Sequence, residues 1–367
     1  HYLQFSHNQR IFQHLTVPQI VAQVLQGDGI QADTFTFNVS HSPEREYCTQ
    51  YGESDFELVQ RLCSEDGISW HHQHSPDGHH LVFTDDQTYF PTLGATPYQQ
   101  GSGMVADHPV VSQFSMRFNT RTSTVTRRHY DLKRPSLLLE SQFTAEFSPV
   151  LEDYRYPVPM DSLERGKVLA RQALERHRSD YQLAEGKSDQ PSLRSGHFFD
   201  LTEHPRQLCN DLWLLLGVHH SGKQPQSLEE SVTSDVKPED GFTQGYRNTF
   251  SAIPWDVFYR PPLVTRKAML VSQTARVTGP EGEEIFCDEF GRVRVELPWD
   301  RAELNSDKSS CWLRVSSSWA GENFGAVTIP RIGMEVVVTY LEGNPDHPLI
   351  TGCVANKVKP VPYALPE

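Results

Sequence analysis

Positive charge is scarce in this chain. Its 367 residues carry 33 lysines and arginines against 47 aspartates and glutamates, a formal net charge of −14. So acidic a molecule repels polyanions, which argues against a whole-chain affinity for nucleic acid or anionic lipid. Long apolar runs are missing as well. The densest covers residues 212–218, far short of the roughly 20 residues a bilayer requires. Cysteines are few: Cys48, Cys63, Cys209, Cys287, Cys311 and Cys353, with no Cys-x-x-Cys pair. A chain of this length builds a core without disulfides, so reduced and mostly buried thiols are expected, with folding in the cytoplasm. No Met and no basic-then-apolar leader opens the sequence at His1-Tyr2-Leu3, and the chain reads as a piece of something longer. There is no Gly-x-Ser-x-Gly elbow, His-Glu-x-x-His helix, phosphate-cradling loop or dinucleotide fingerprint. Ser234-Asp235-Val236-Lys237 matches a Ser-x-x-Lys pattern, but without partner motifs and inside an irregular stretch, so it reads as loop.

What is present is punctuation and alternation. The 23 glycines and 25 prolines imply many turns and short strands. A helix is expected from Pro18 to a stop at Gly27-Asp28-Gly29, with Ile20, Val21, Val24 and Leu25 on one face, followed by a strand over 34–39. Ser54 and Glu57 have capping-box spacing, so a second helix starts there. It buries Phe56, Val59, Leu62 and Cys63 and ends at Gly67. Strands over 68–73 and 80–84 form a hairpin around Ser75-Pro76-Asp77-Gly78. Residues 110–150 read as all strand. A helix over 161–180 has Leu163, Val168, Leu169 and Leu174 on its apolar side, and strands return near 198–201 and 212–220. Residues 221–266, rich in Gly and Pro, read as irregular. Beyond them, Val293, Val295 and Leu297, then Val336, Val338 and Tyr340, alternate with polar neighbours in a small barrel or sandwich.

Two clusters invite a chemical reading. His71, His72 and His74 face His79 and His80 across the hairpin, and imidazoles at close range can hold zinc. Adjacent strand residues point to opposite faces, however, so His71 and His72 do not share a metal, and solvent-facing strand ends are the preferred reading. His219-His220 meets the same objection. Arg117, Arg121, Arg127, Arg128, Lys133 and Arg134 form a local basic stretch. It reads first as one exposed polar face, and second as a dock for an acidic partner.

The C-terminal β region carries a long ordered series of motifs. Glu284 leads to Asp288-Glu289-Phe290-Gly291-Arg292-Val293, then Trp299-Asp300, Trp312-Leu313-Arg314-Val315 and Trp319-Ala320-Gly321. Pro330-Arg331-Ile332-Gly333-Met334-Glu335 and Gly343-Asn344-Pro345-Asp346-His347-Pro348 through Gly352 complete it. In order and spacing this resembles the VgrG family, the trimeric spikes of type VI secretion systems, and the OB-fold domain they share with the tail lysozyme of contractile phages. Asn8 to Gln13, Tyr51-Gly52-Glu53-Ser54-Asp55-Phe56, Asp66-Gly67-Ile68, Ser195-Gly196-His197-Phe198, His204-Pro205, Tyr246-Arg247-Asn248 and Arg260-Pro261-Pro262 resemble that family's phage-hub-like part. Departures fall at Leu297-Pro298, Asn344 and Val158, all loop or strand-edge positions.

The resemblance implies a mainly β chain with α+β parts, its phage-hub-like barrel and α+β domains followed by a small OB-fold barrel. Expected divisions are a hub-like domain over 1–110, a second over 111–220, an irregular connection over 221–268, the OB-fold over 269–355, and a link over 356–367 toward an absent needle. The implied partners are two further copies in a homotrimer, a hexameric tube protein, a spike-tip protein and effectors held beyond this chain, and, transiently, a target membrane. Assembly in the bacterial cytoplasm and secretion outward are implied, with no cofactor, metal or catalytic residue. The motif residues are expected to hold the barrel, Gly291, Gly333 and Gly352 supplying positive φ and Pro330 and Pro348 standing at strand edges. Two other readings remain: the hub of a contractile phage or prophage tail, and a glycan-hydrolysing tail enzyme, for which no carboxylate pair stands in a lysozyme-like context.

Overall fold

The computed structural model describes residues 2–100, 107–224, 242, 244–269, 271–363 and 365–366. The Ser234-to-Lys237 pattern lies outside them. His1–Ala32, His41–Asp66 and Val264–Glu367 gather into one unit, and Asp33–Ser40 with Gly67–Leu263 into a second.

Along the chain, β1 (His7–Phe12) precedes α1 (Val17–Gly27), then β2 (Phe35–Asn38), β3 (Cys48–Ser54) and α2 (Asp55–Glu65). Thr16 and Gln19 cap α1 reciprocally, and Ser54 and Glu57 do the same for α2. Each pair satisfies backbone groups that a helix end leaves open. The hairpin is β4 (Ser69–Ser75) and β5 (Gly78–Thr84). Next come β6 (Thr92–Pro97), β7 (Val111–Phe118), β8 (Thr124–His129), β9 (Leu139–Thr144), β10 (Glu152–Arg155) and α3 (Leu163–Arg178). After α3 stand β11 (Gln182–Ser188), β12 (Phe198–Thr202), β13 (Leu212–Lys223) and β14 (Gly245–Pro254). The last strands are β15 (Gln273–Thr278), β16 (Arg294–Glu296), β17 (Arg314–Val315), β18 (Ala320–Gly321), β19 (Phe324–Gly325), β20 (Glu335–Tyr340) and β21 (Pro348–Val354).

In the first unit, β1 pairs antiparallel with β3, while β16-β15-β20-β21-β17 form a five-stranded sheet. An antiparallel bridge between Val293 and Leu313 joins the segments leading into its two outer strands, so the sheet curls into a closed small barrel. Ala275, Val277, Val293, Val295, Leu297, Leu313, Val336, Val338 and Ile350 fill its interior. Each Val, Leu or Ile among them contributes about 1.5–3 kcal/mol by leaving water. The alternation read at 293–297 and 336–340 is therefore the inside and outside of this barrel.

The second unit is built on a six-stranded sheet, β6-β12-β13-β14-β11-β7, with Phe199, Trp213, Leu215, Phe250 and Ala252 in its core. A three-stranded sheet, β10-β8-β9, packs against α3, and β2-β5-β4 form another.

Four readings need correction. Residues 245–254 are not irregular: β14 runs between β13 and β11, and Gly245 and Pro254 mark its ends rather than break it. In α2 it is Leu58, with Val59, Leu62 and Cys63, that is buried, while Phe56 is half-buried. In α3 the buried face is Gly166, Ala170, Ala173 and Leu174, and Leu163 is exposed. The small residues let the helix approach its sheet: a Cβ on Gly166 would lie 2.4 Å from Ser141 Oγ. Finally, Cys48, Cys63 and Cys209 are buried but Cys287 and Cys353 are exposed.

Candidate functional site

The family motif residues of the first unit build turns and core before anything else. Asp288 closes the turn into the second barrel segment: the backbone N–H groups of Phe290 and Arg292 donate to its Oδ1 at 3.1 and 2.8 Å, and Arg292 Nε donates to Oδ2 at 2.6 Å. Gly291 takes φ +69° there, which only a residue without Cβ adopts freely. Glu284 pairs with Arg331, and Gly333 has φ +85° while its N–H reaches Val277 O at 2.8 Å. Gly343 has φ +65° and its carbonyl accepts from Met269 N–H at 2.8 Å. Gly352 does not fulfil its expectation: it lies within β21 opposite Val337, outside the positive-φ region. Pro348 begins β21, and Pro330 and Pro345 are buried.

The aromatic members divide into packed and presented. Trp299 Nε1 donates to Gln273 Oε1 at 2.8 Å and its ring meets Tyr51 edge-on. Trp312 packs on Phe286 beneath the Arg294 guanidinium. Val315 lies against the barrel core, Arg314 stands beside it in β17 pairing with β21, and the buried Asp300 accepts from Ala302 N–H at 3.0 Å. Glu335 accepts from Asn356 Nδ2 at 2.8 Å. Trp319 is different. It sits on the two-stranded ribbon of β18 and β19, with Phe324 folded over Gly321, and both rings are more than half exposed. Val327, just beyond, is 85% exposed.

Beneath the barrel motifs the first unit contains a buried ionic network that the sequence reading did not isolate. Arg61, 1% exposed, donates to Glu53 through Nε and Nη2 at 2.9 and 2.6 Å, to Glu65 at 3.1 Å and to Thr49 O at 3.2 Å. Arg45 bonds Glu65 at 2.6 Å and Asp66 at 2.9 Å. Burial pushes the Glu65 carboxyl up, but the charges of Arg45 and Arg61 overrule it and hold it at about 2.

In the second unit the basic stretch keeps Arg117, Lys133 and Arg134 exposed, as a polar face would, but draws Arg127 inward and pairs several of its cations with carboxylates. Arg127 is 5% exposed and donates to Asp153 at 2.7 Å. Arg121 reaches Asp180 at 2.5 Å, Arg128 Glu140 at 2.5 Å, and Arg134 Asp131 at 2.8 Å. The hairpin histidines obey the strand alternation. His72 stacks on His74, whose Nδ1 lies 2.7 Å from that of His79. His71 is buried on the opposite face against Phe90 and His197, with neither ring nitrogen hydrogen-bonded. Burial and the neighbouring imidazoles pull it down to about 4. Among the described residues no three His, Cys, Asp or Glu side chains are arranged to hold a metal ion. The segment from 143 to 156 presents Phe143, Phe147, Val150, Leu151, Tyr154 and Tyr156 to solvent.

These features define a class: a mainly β hub-type fold followed by an OB-type barrel, with apolar groups presented outward from each unit. The comparisons are of one kind with this. Residues 1–226 match the phage tail baseplate hub (GPD) family, and residues 287–354 match the injector OB domain of type VI secretion systems and phage baseplates. The chain belongs to the phage tail baseplate hub family and, by these two domains in this order, to the VgrG spikes. It is 58% identical to the type VI secretion system spike protein VgrG4b of Pseudomonas aeruginosa over the whole chain and 46% of that protein. It is 53% identical to VgrG5 of the same organism over the whole chain and 47% of that protein. The chain thus spans about half the length of these curated relatives. A solved Escherichia coli type VI secretion component, described as structurally similar to the T4 phage tail proteins gp27 and gp5, superposes with a TM-score of 0.65 at 24% identity. That superposition covers 96% of this chain and 75% of the other, and it establishes likeness of fold.

Proposed function

We propose that this chain is the hub-and-barrel part of a homotrimeric spike that caps a hexameric tube. Driven outward by a contractile sheath, the spike pierces a target envelope and carries effectors held beyond residue 367. In this reading residues 1–110 and 111–220 serve the hub, 269–355 the OB barrel, and 356–367 lead toward a needle. The spike assembles in the bacterial cytoplasm and is then secreted. Its work is mechanical and uses no catalytic residue, and the relatives VgrG4b and VgrG5 are named as spike proteins. The barrel motif residues, Glu284 to Gly352, act by holding the subunit in the shape that copies of it share.

The observation that carries this reading is the solvent exposure of large apolar groups in both units: Trp319, Phe324 and Val327 in one, and the 143–156 segment in the other. Patches of this kind on a single chain mark surfaces that another protein covers, and a ring of identical subunits covers them by repetition. Light scattering on a sizing column measures the outcome. A species of three times 41.8 kDa is expected, and replacing Trp319 and Phe324 by Ser lowers that mass. A trimer that survives the double replacement takes Trp319 and Phe324 out of the interface, and a strictly monomeric chain at high concentration counts against the assembly reading. Turnover of peptidoglycan by this chain, abolished by one carboxylate substitution, overturns the non-catalytic one.

A further inference from the structure

The tip of the β4–β5 hairpin sets two imidazoles at ligand distance. Register pairs Ser75 with Gly78 at the turn and His74 with His79 one step further in. Residues directly opposite in an antiparallel pair project to the same face, with Cβ atoms about 4.5–5.5 Å apart. His74 Nδ1 and His79 Nδ1 accordingly lie 2.7 Å apart, their ring planes at 84°. Both side chains are exposed. His72, two residues before His74, stacks on the His74 ring at 14°. His80 lies on the opposite face, where its Nε2 stands 2.7 Å from Thr36 Oγ1. Such an imidazole pair is satisfied in one of two ways. A single proton sits between the two Nδ1 atoms, or each ring carries its proton on Nε2 and both Nδ1 lone pairs meet one cation. Among the described residues neither ring hydrogen-bonds a carboxylate that would favour the proton. The distance then selects the ion. Two nitrogens about 2.0 Å from one ion stand about 2.8 Å apart at a right angle and about 3.3 Å apart at the tetrahedral angle. The observed 2.7 Å fits the right angle, which belongs to the tetragonal geometry of Cu(II) or Ni(II) rather than to zinc.

We propose that His74 and His79 form a surface site for a tetragonal Cu(II) ion, their two Nδ1 atoms being adjacent ligands. Of the two tetragonal ions, copper binds a given nitrogen set more tightly. No third His, Cys, Asp or Glu among the described residues is arranged beside the pair, so water or a donor from solution takes the other positions. Strand pairing holds both ligands in place before the ion arrives, which cuts the ordering cost of binding. The net charge of −14 favours the approach of a cation. The alternation that keeps His71 and His72 from sharing a metal is the same one that brings His74 and His79 together. Nothing in this assignment depends on the spike reading.

Calorimetric titration of the purified chain with copper(II) chloride in a weakly coordinating buffer tests it, with electron paramagnetic resonance at one equivalent as the second readout. One site with a Kd of about 10 μM or tighter is expected, with a tetragonal signal split by two nitrogens. His74→Gln and His79→Gln should each weaken that site at least tenfold. Both positions are exposed at the hairpin tip, so the variants keep the fold. His80→Gln changes the opposite face of the same hairpin and should leave the site unchanged. Zinc(II) should bind at least tenfold more weakly than copper(II). Absence of any site tighter than about 100 μM overturns the proposal. A site unaltered by His74→Gln and His79→Gln, an equal loss in His80→Gln, or zinc binding as tight as copper overturns it as well.

Discussion

Replacing Arg61 by Met probes the buried network of the first unit most directly. Methionine fills most of the space left by the arginine stem, so the change is chiefly electrostatic. It removes the partner of Glu53, whose side chain is 11% exposed, and two hydrogen bonds at 2.9 and 2.6 Å. Leaving one member of a buried pair without its counter-charge costs about 3–5 kcal/mol. Glu65 adds little, because its side chain is 30% exposed and keeps Arg45 at 2.6 Å. The assay is native-state thiol labelling. Cys48 is fully buried and its thiol is pushed by burial up to about 12, so a reagent attacks only after the unit opens. With the exposed Cys287 and Cys353 changed to Ser, Arg61→Met should accelerate Cys48 labelling by about a thousandfold, the equivalent of ~4 kcal/mol. Cys209, buried in the second unit, supplies the reference rate. Adding Glu53→Gln to Arg61→Met should restore much of the loss, since no charge is then left stranded. Acceleration below tenfold, or a double variant no slower than the single one, would refute the reasoning.

Two further outcomes follow from single residues. The folded-state value of His71, about 4, lies below the ordinary imidazole value near 6.5. Its contribution is therefore complete above about pH 6.5 and is lost as pH falls toward 4, a decline of roughly 2–3 kcal/mol. His71→Phe should flatten the fall in urea midpoint between pH 7 and 4.5; an unchanged slope refutes the assignment. Gly325 has φ +133°, and a Cβ there would lie 2.5 Å from the backbone oxygen of Trp319, which cannot swing aside. Gly325→Ala should open the β18–β19 ribbon at a local cost of about 2–3 kcal/mol. The Trp319 emission should shift while the thermal midpoint of the second unit stays in place, and an unaltered emission counts against the close approach.

Much of the fold was legible because its signals are local. Ser54 and Glu57 meet within one helical turn, so their spacing alone announced α2. The barrel strands alternate with period two, and the Asp288-to-Arg292 turn is closed by its own carboxylate and a glycine. What was misread depends on distance. β14 is bounded by the Gly and Pro that make its neighbourhood resemble a loop, and only pairing with β11 and β13 makes it a strand. The inner face of α3 is set by how close Gly166 lets the helix come to Ser141, which no periodicity of large residues records.

The basic stretch shows most clearly what separates a sequence pattern from a site. Six cations in eighteen residues read as a solvated face, which holds for Arg117, Lys133 and Arg134, but the counter-charges of Arg121 and Arg127 lie far along the chain. Asp153 lies 26 positions from Arg127, and Asp180 lies 59 from Arg121. Folding brings these carboxylates in and buries Arg127, which burial alone would forbid for an unpaired charge. Asp153 serves Arg127, Arg155 and His177 together, so one carboxylate ties β8, β10 and α3. The same residues therefore hold the small sheet against α3. The apolar groups between 143 and 156 stay exposed even though Arg178 lies over the Phe147 ring and Arg128 over that of Tyr154. Alternation within the segment does not reveal such exposure, because it records which face a strand residue points to and not what lies over that face.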